Sequence, residues 1–202
     1  MNVMRRVGMI WVMLCLAMTS FAQRAELSKT EQESVKKRAI QKVKTFQESC
    51  RKIADTHVAF WEKTCEGGMI EVTMQDFMDD AKIRITSLDG RSFSEKGVKQ
   101  YLKRLALLSK NTYKEIDITS FDCSLASDFR PDPNRGEGWY VGEVKVTQIF
   151  RALRKGEYNV EVTDKVVRTT KVYAKKSTLI VNQKNVPYWD VKLGDIKARN
   201  ID

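Results

Sequence analysis

The chain has 202 residues, with 36 Lys and Arg against 26 Asp and Glu, a formal net charge of +10 and one histidine. That length suits one domain with a proper core. The basic residues are scattered, at 36–38, 103–104, 151–155 and 171–176, without interleaved exposed aromatics, so solvated faces are expected and a nucleic-acid partner is not.

At the amino terminus Arg5 and Arg6 precede an apolar run at 7–17, and Ser20 and Ala22 stand at the −3 and −1 positions of a cleavage site. This is the pattern of a secretory signal peptide, and the run falls short of the ~20 apolar residues of a membrane span. Cys15 lacks the small preceding residue of a lipid-attachment site. The expectation is a signal peptide over 1–22, a single α+β domain over 23–202 and no membrane span after cleavage. A mature charge of +8, once Arg5 and Arg6 are removed, and a place in the periplasm or cell envelope go with it.

Thr30 stands three residues ahead of Glu33, a capping-box spacing that starts a helix. Its apolar stripe runs Ile40, Val43, Phe46, Cys50, Ile53, Ala54, His57, Val58 and Trp61, and Gly67 and Gly68 end it. Met74, Phe77 and Met78 suit a short second helix, and Ala81, Ile83 and Ile85 alternate with Lys82, Arg84 and Thr86 as a strand. Asp89 and Gly90 make a turn. Ser94 caps a third helix carrying Val98, Tyr101, Leu102, Leu105 and Leu108 on one face.

Beyond Asn111 the period changes to two. YKEIDITSF, GWYVGEVKVTQIF, EYNVEVTDKVVRTTKVY, STLIV and YWDVKLGDI all read as strands. RKGE at 154–157 is a hairpin connection, and LASDFRPDPNRGEG is the longest polar break and the expected mobile loop. Helices followed by strands give an α+β domain, with helices on one face of a curved, mainly antiparallel sheet. Of the cysteines after residue 22, Cys50 fits the helical stripe as a small buried hydrophobe. Cys65 with Cys123 is the preferred pair if a bridge forms. The chain shows no CxxC spacing, His/Cys cluster, Gly-rich phosphate loop or nucleophile elbow, so neither a metal nor a cofactor is expected.

The long first helix, the segment QDFMDDAKIRITSLDG, the helix GVKQYLKRL and the strands YVGEVKVTQIF, EYNVEVTDKVV and YWDVKLGDI together resemble the nuclear transport factor 2-like superfamily. It is also called cystatin-like or ketosteroid-isomerase-like, and the closest likeness is to its exported bacterial members of unknown role. The resemblance spans about 27–199. It implies a cone, a strongly bent sheet wrapped around the long helix with a pocket between them. Members include isomerases, dehydratases and cyclases beside domains that only bind, so fold does not settle function.

An enzyme of this shape needs an acid or base in the pocket beside a polar partner. On core-facing parity the sequence offers Tyr140 and Gln148 in one strand, and Tyr158, Asp164 and Arg168 in the next. On the functional reading Tyr140, Gln148 and Tyr158 orient a ligand, with Asp164 as base or as partner of Arg168. On the structural reading Asp164 makes an ion pair near a strand end and Gln148 is a satisfied amide tying sheet to helix. His57 is either a core histidine or, in the dehydratase-like arrangement implied by the resemblance, a catalytic residue needing Asp79 or Asp80 beside it. Adjacent on a strand, those two acids point to opposite faces, so they read better as turn residues.

The favoured function is an exported, non-catalytic binding domain whose cone pocket and Pro-rich loop take a partner protein, a glycan or a small apolar ligand. The alternative is an isomerase or dehydratase of the ketosteroid-isomerase type using His57 or Asp164. A homodimer across the outer sheet face at Trp139, Val141 and Ile149 is a third expectation.

Overall fold

The computed structural model describes residues 26–86, 92–156 and 160–201. The expected signal peptide, the Asp89–Gly90 turn and Tyr158 lie outside them. Helix α1 is Lys29–Ala54. A capping box starts it, but the pair is Ser28 with Glu31: the Glu31 backbone N–H donates to Ser28 Oγ, and the Glu31 carboxylate accepts from the Ser28 N–H. The Thr30–Glu33 pair has the same spacing two residues on. Ser28 takes the role because Leu27, just before it, already packs against the core. Val35, Ala39, Val43, Phe46, Cys50 and Ile53 then form the buried stripe.

The helix stops at Ala54 and does not reach Trp61. Asp55 turns the chain: its Oδ1 accepts the His57 N–H at 2.8 Å, a local turn that competes with helix. Two short helices follow, α2 at Phe60–Thr64 and α3 at Met69–Met74. Trp61 is 67% exposed, so the apolar spacing from Ala54 onward was coincidence of composition and not one face.

Strand β1 is Lys82–Thr86, as its alternation predicts, and β2 is Phe93–Gly97. Helix α4, Val98–Asn111, begins after Gly97, with no side-chain cap. Ser94 was expected to cap this helix, but it lies within β2, paired with Ile85 of β1. Strands β3 (Tyr113–Pro131), β4 (Trp139–Arg154), β5 (Glu161–Val181) and β6 (Lys184–Asn200) complete one six-stranded curved sheet of order β2-β1-β6-β5-β4-β3. All pairings are antiparallel except β1 with β6.

Strand β3 runs through much of the stretch expected as a mobile loop. Register shifts against β4 at Phe121/Ser124, Leu125/Ser127 and Ser127/Arg130 bulge the strand and absorb its polar residues without ending it. The break shrinks to 132–138, closed by the Asp132 N–H donating to the Trp139 carbonyl at 2.8 Å.

Even-numbered positions of β4 and β5 face the helices: Val144, Val146 and Gln148 on one, Arg168, Thr170, Val172 and Ala174 on the other, all buried. On β6 the buried positions change from Trp189, Val191 and Leu193 to Ile196 and Ala198, because a bulge against β5 between Thr170 and Val172 shifts the parity. Beyond the last β4–β5 pair, Trp139 with Lys175, strands β5 and β6 continue alone as a ribbon, closed at Asn182 and Gln183 with positive φ. The result is an α+β fold with the long helix against one face of the sheet.

Candidate functional site

The polar residues beneath α1 form two adjoining groups. In the first, Gln148 Nε2 donates to Gln47 Oε1 at 2.9 Å, and Ser120 Oγ donates to the same oxygen at 3.3 Å. One helical amide thus ties α1 to β4 and β3, and Gln148 is 2% exposed. The sheet-to-helix reading of Gln148 holds.

The second group centres on Arg168, opposite Val146 in the sheet register and 6% exposed. Its Nη2 donates to the Tyr101 hydroxyl of α4 at 2.6 Å, while Nε and Nη1 have no hydrogen-bond partner. The Thr170 hydroxyl, two residues along, and Gln47 Nε2 are likewise buried without one. Cys50 of α1 lies against the guanidinium. Burial pushes its thiol up to about 11, with the Arg168 charge pulling the other way, so the sulfur stays protonated at neutral pH.

The residues nominated from sequence do not converge. Tyr140 is half-buried and meets Trp189 edge-on at a centroid distance of 5.8 Å. Asp164 is exposed: it has the inward parity but sits near the start of β5, opposite Phe150, before the buried positions that begin at Arg168. The partner of Arg168 is Tyr101 and not Asp164. His57 is exposed in the turn after α1, neither a core residue nor beside an acid in the interior. Asp79 and Asp80 lie in a turn, with Asp80 Oδ1 3.7 Å from Arg135. Cys50, Cys65 and Cys123 are all free thiols, so the Cys65–Cys123 bridge is not formed.

Gln47, Tyr101 as an interior hydroxyl, Thr170 and Lys63 were missed. Gln47 carried a signal, since it stands four residues after Val43 and three before Cys50, a polar residue at core spacing. Lys63 carried none. It is 1% exposed, its ammonium donating to the Asp55 carbonyl at 2.5 Å and Ser109 Oγ at 2.8 Å, and burial pushes its pKa down.

Two half-open clefts stand out, of which the first adjoins these groups. One, of about 510 Å³, lies between α1 and β3, with Lys44 and Arg51 at its rim and Gln47, Ser120, Cys123 and Val146 within. The other, of about 1040 Å³, lies beside the Pro-rich loop and is lined among others by Arg130, Asn134, Glu143, Lys171 and Tyr173. The Arg135 guanidinium stacks 4.3 Å above the Tyr173 ring there. Among the described residues no cluster of three or more His, Cys, Asp or Glu is placed to hold a metal, and no helix is long and apolar enough to cross a membrane.

No protein-family model matches the chain, and no curated protein matches it. Solved structures are similar in fold. A protein of Kribbella flavida, Kfla4162, is 9% identical, with a TM-score of 0.44 over 82% of this chain and 93% of that one. The hexachlorocyclohexane dehydrochlorinase LinA, type 2, is 14% identical, at a TM-score of 0.38 over 82% and 85%. A chain of the C. albicans Mtr2–Mex67 M domain complex is 10% identical, at 0.35 over 81% and 96%. The neighbours include members of the nuclear transport factor 2-like fold, the superfamily the sequence resembles. They include an enzyme and a chain of a protein complex, and at these identities and TM-scores they carry no argument about what this chain does.

Proposed function

We propose that the protein is an exported, non-catalytic binding domain, and that its ligand is a glycan held in the cleft beside the Pro-rich loop. The observation that carries this reading is the dispersal of the ionisable groups. An acid–base enzyme needs its acid or base and its polar partner around one enclosed reacting atom. Here Asp164 and His57 are exposed on separate elements, and Gln148 is spent on Gln47. Among the described buried residues the one acid, Asp132, sits in the loop between β3 and β4, away from both nominated residues.

The cleft by the loop offers what a hydroxyl-rich ligand uses. Glu143 accepts, Arg130 and Lys171 donate, Asn134 does both, and Tyr173 adds a ring beside them. The cleft is open, and its walls come from the end of β3, the paired strands β4 and β5, and a loop of only seven residues, 132–138. The apolar ligand and the partner protein remain the competing occupants. Co-sedimentation of the purified mature protein with insoluble peptidoglycan and with an acidic polysaccharide resin tests the choice. Retention lost in a Glu143→Ala, Lys171→Ala double variant is the expected result. If neither glycan retains the wild type, the glycan reading fails.

A further inference from the structure

The interior behind α1 holds a cation with no counter-charge. Of the described buried residues only Asp132 is acidic, and its carboxylate sits with Arg135 and the Asn134 N–H in the loop between β3 and β4. Arg168 meets a phenol, a thiol and otherwise open donors. A buried guanidinium with unpaired N–H groups is costly: the charge has lost its water, and each stranded donor adds to the loss. What surrounds it is uniform in kind. Arg168 Nε and Nη1 and Gln47 Nε2 are all donors, and the Thr170 hydroxyl rotates to donate as well. What such a set of donors lacks is an acceptor bearing one negative charge.

We propose that Arg168, Thr170 and Gln47 form a binding site for a small monocarboxylate anion inside the fold. A carboxylate matches a guanidinium as a planar two-oxygen acceptor and neutralises its single charge. A phosphate is tetrahedral and carries about 1.5 to 2 negative charges at neutral pH, more than one arginine balances. The way in is the cleft between α1 and β3. Gln47 and Val146 line it, and Arg168 is paired with Val146 in the sheet register and lies against Cys50, one helical turn along from Gln47. At the rim Glu48 pairs with Arg51, and Asp117 with Arg151. Lys44 and Asp122 are the other charges there. The site is separate from the glycan cleft, so neither proposal depends on the other.

Thermal unfolding in sodium acetate against sodium chloride at equal ionic strength tests the site. At acetate tenfold above half-saturation the wild-type Tm is expected to rise by about 3–6 °C beyond its value in chloride. Arg168→Met should lose this acetate-specific rise, and Thr170→Val should weaken it. Sodium phosphate should not reproduce it. Equal wild-type responses to acetate and chloride would mean that water completes the guanidinium, and would overturn the proposal. So would an acetate response that Thr170→Val and Arg168→Met both retain. Should Arg168→Met fail to fold, the wild-type salt comparison and Thr170→Val still decide. Glycan retention is unchanged in every arm, which keeps the two readings distinguishable.

Discussion

Lys63 and Arg168 are both buried cations outside any ion pair among the described residues, yet the protein treats them differently. The Lys63 ammonium, at the carboxyl end of α1, donates to the Asp55 carbonyl, a group the helix leaves unpaired, and to Ser109, whose own hydroxyl goes on to the Ala106 carbonyl. Arg168 finds one hydroxyl and leaves two nitrogens open. The first cation finishes a helix. The second is held in place by the fold without being used up by it. Burial of charge is therefore no guide to role here; what separates the two is whether the donors land on acceptors the fold would otherwise strand.

That contrast can be broken or sharpened by substitution. The largest effect is expected from Gln148→Leu, which strands the Gln47 carbonyl on Ser120 alone and should cost about 2–3 kcal/mol in urea unfolding. A loss near zero would mean that the amide serves a ligand and not the helix. Lys63→Met should cost about 1–2 kcal/mol, because the Asp55 carbonyl loses its donor. The same variant carries a pH signature. Burial lowers the folded Lys63 pKa below its ordinary 10.5, so the unfolded chain binds the extra proton and wild-type stability gains from this group as pH rises toward 10.5. Lys63→Met should lack that alkaline gain.

Arg168→Met, in buffer free of carboxylates, should fall within about 0.5 kcal/mol of wild type or exceed it, since the change removes an uncompensated buried charge. A loss as large as that of Lys63→Met would erase the distinction between the two cations. A comparably small effect is expected at the surface. Hydrogen bonds from Lys176 and Ser28 lower the Glu31 pKa from 4.5 to about 2. Its contribution is complete above 4.5 and is lost as pH falls from there toward 2. Glu31→Gln should differ from wild type by under about 1 kcal/mol at neutral pH, and the difference should vanish in acid.

Much of the fold was legible because it rests on period and parity. The helical stripe from Val43 to Ile53, the alternation of β1, and the inward side of β4 each follow from spacing. The misreadings share one cause: local patterns overridden by partners far along the chain. Ser94 looks like a cap until β1 claims it for a strand, and the polar run after Phe121 looks like a loop until β4 holds it by bulges. The helix end at Ala54 depends on an aspartate whose turn-forming role had no Gly or Pro to announce it. For the site, parity placed Gln148 and Arg168 inward correctly but said nothing of where along β5 the buried positions begin. That is why Asp164 was nominated and is exposed. Gln47 was readable as a polar residue at core spacing; Tyr101 as the partner of Arg168 was not, since it arrives from another helix.

The strand order carries a consequence in time. Strand β6, the final element of the chain, lies between β1 and β5, and the parallel pairing of Ile83 with Ile196 joins positions more than half the chain apart. Until the ribosome has delivered that last strand, β1, β2 and the helices around them have no sheet to join, and the apolar stripe of α1 lacks part of its floor. Contacts this distant are slow to close. A chain built this way cannot close its sheet until β6 has been made, so the two halves of the sheet are joined by the element that comes last among the described strands.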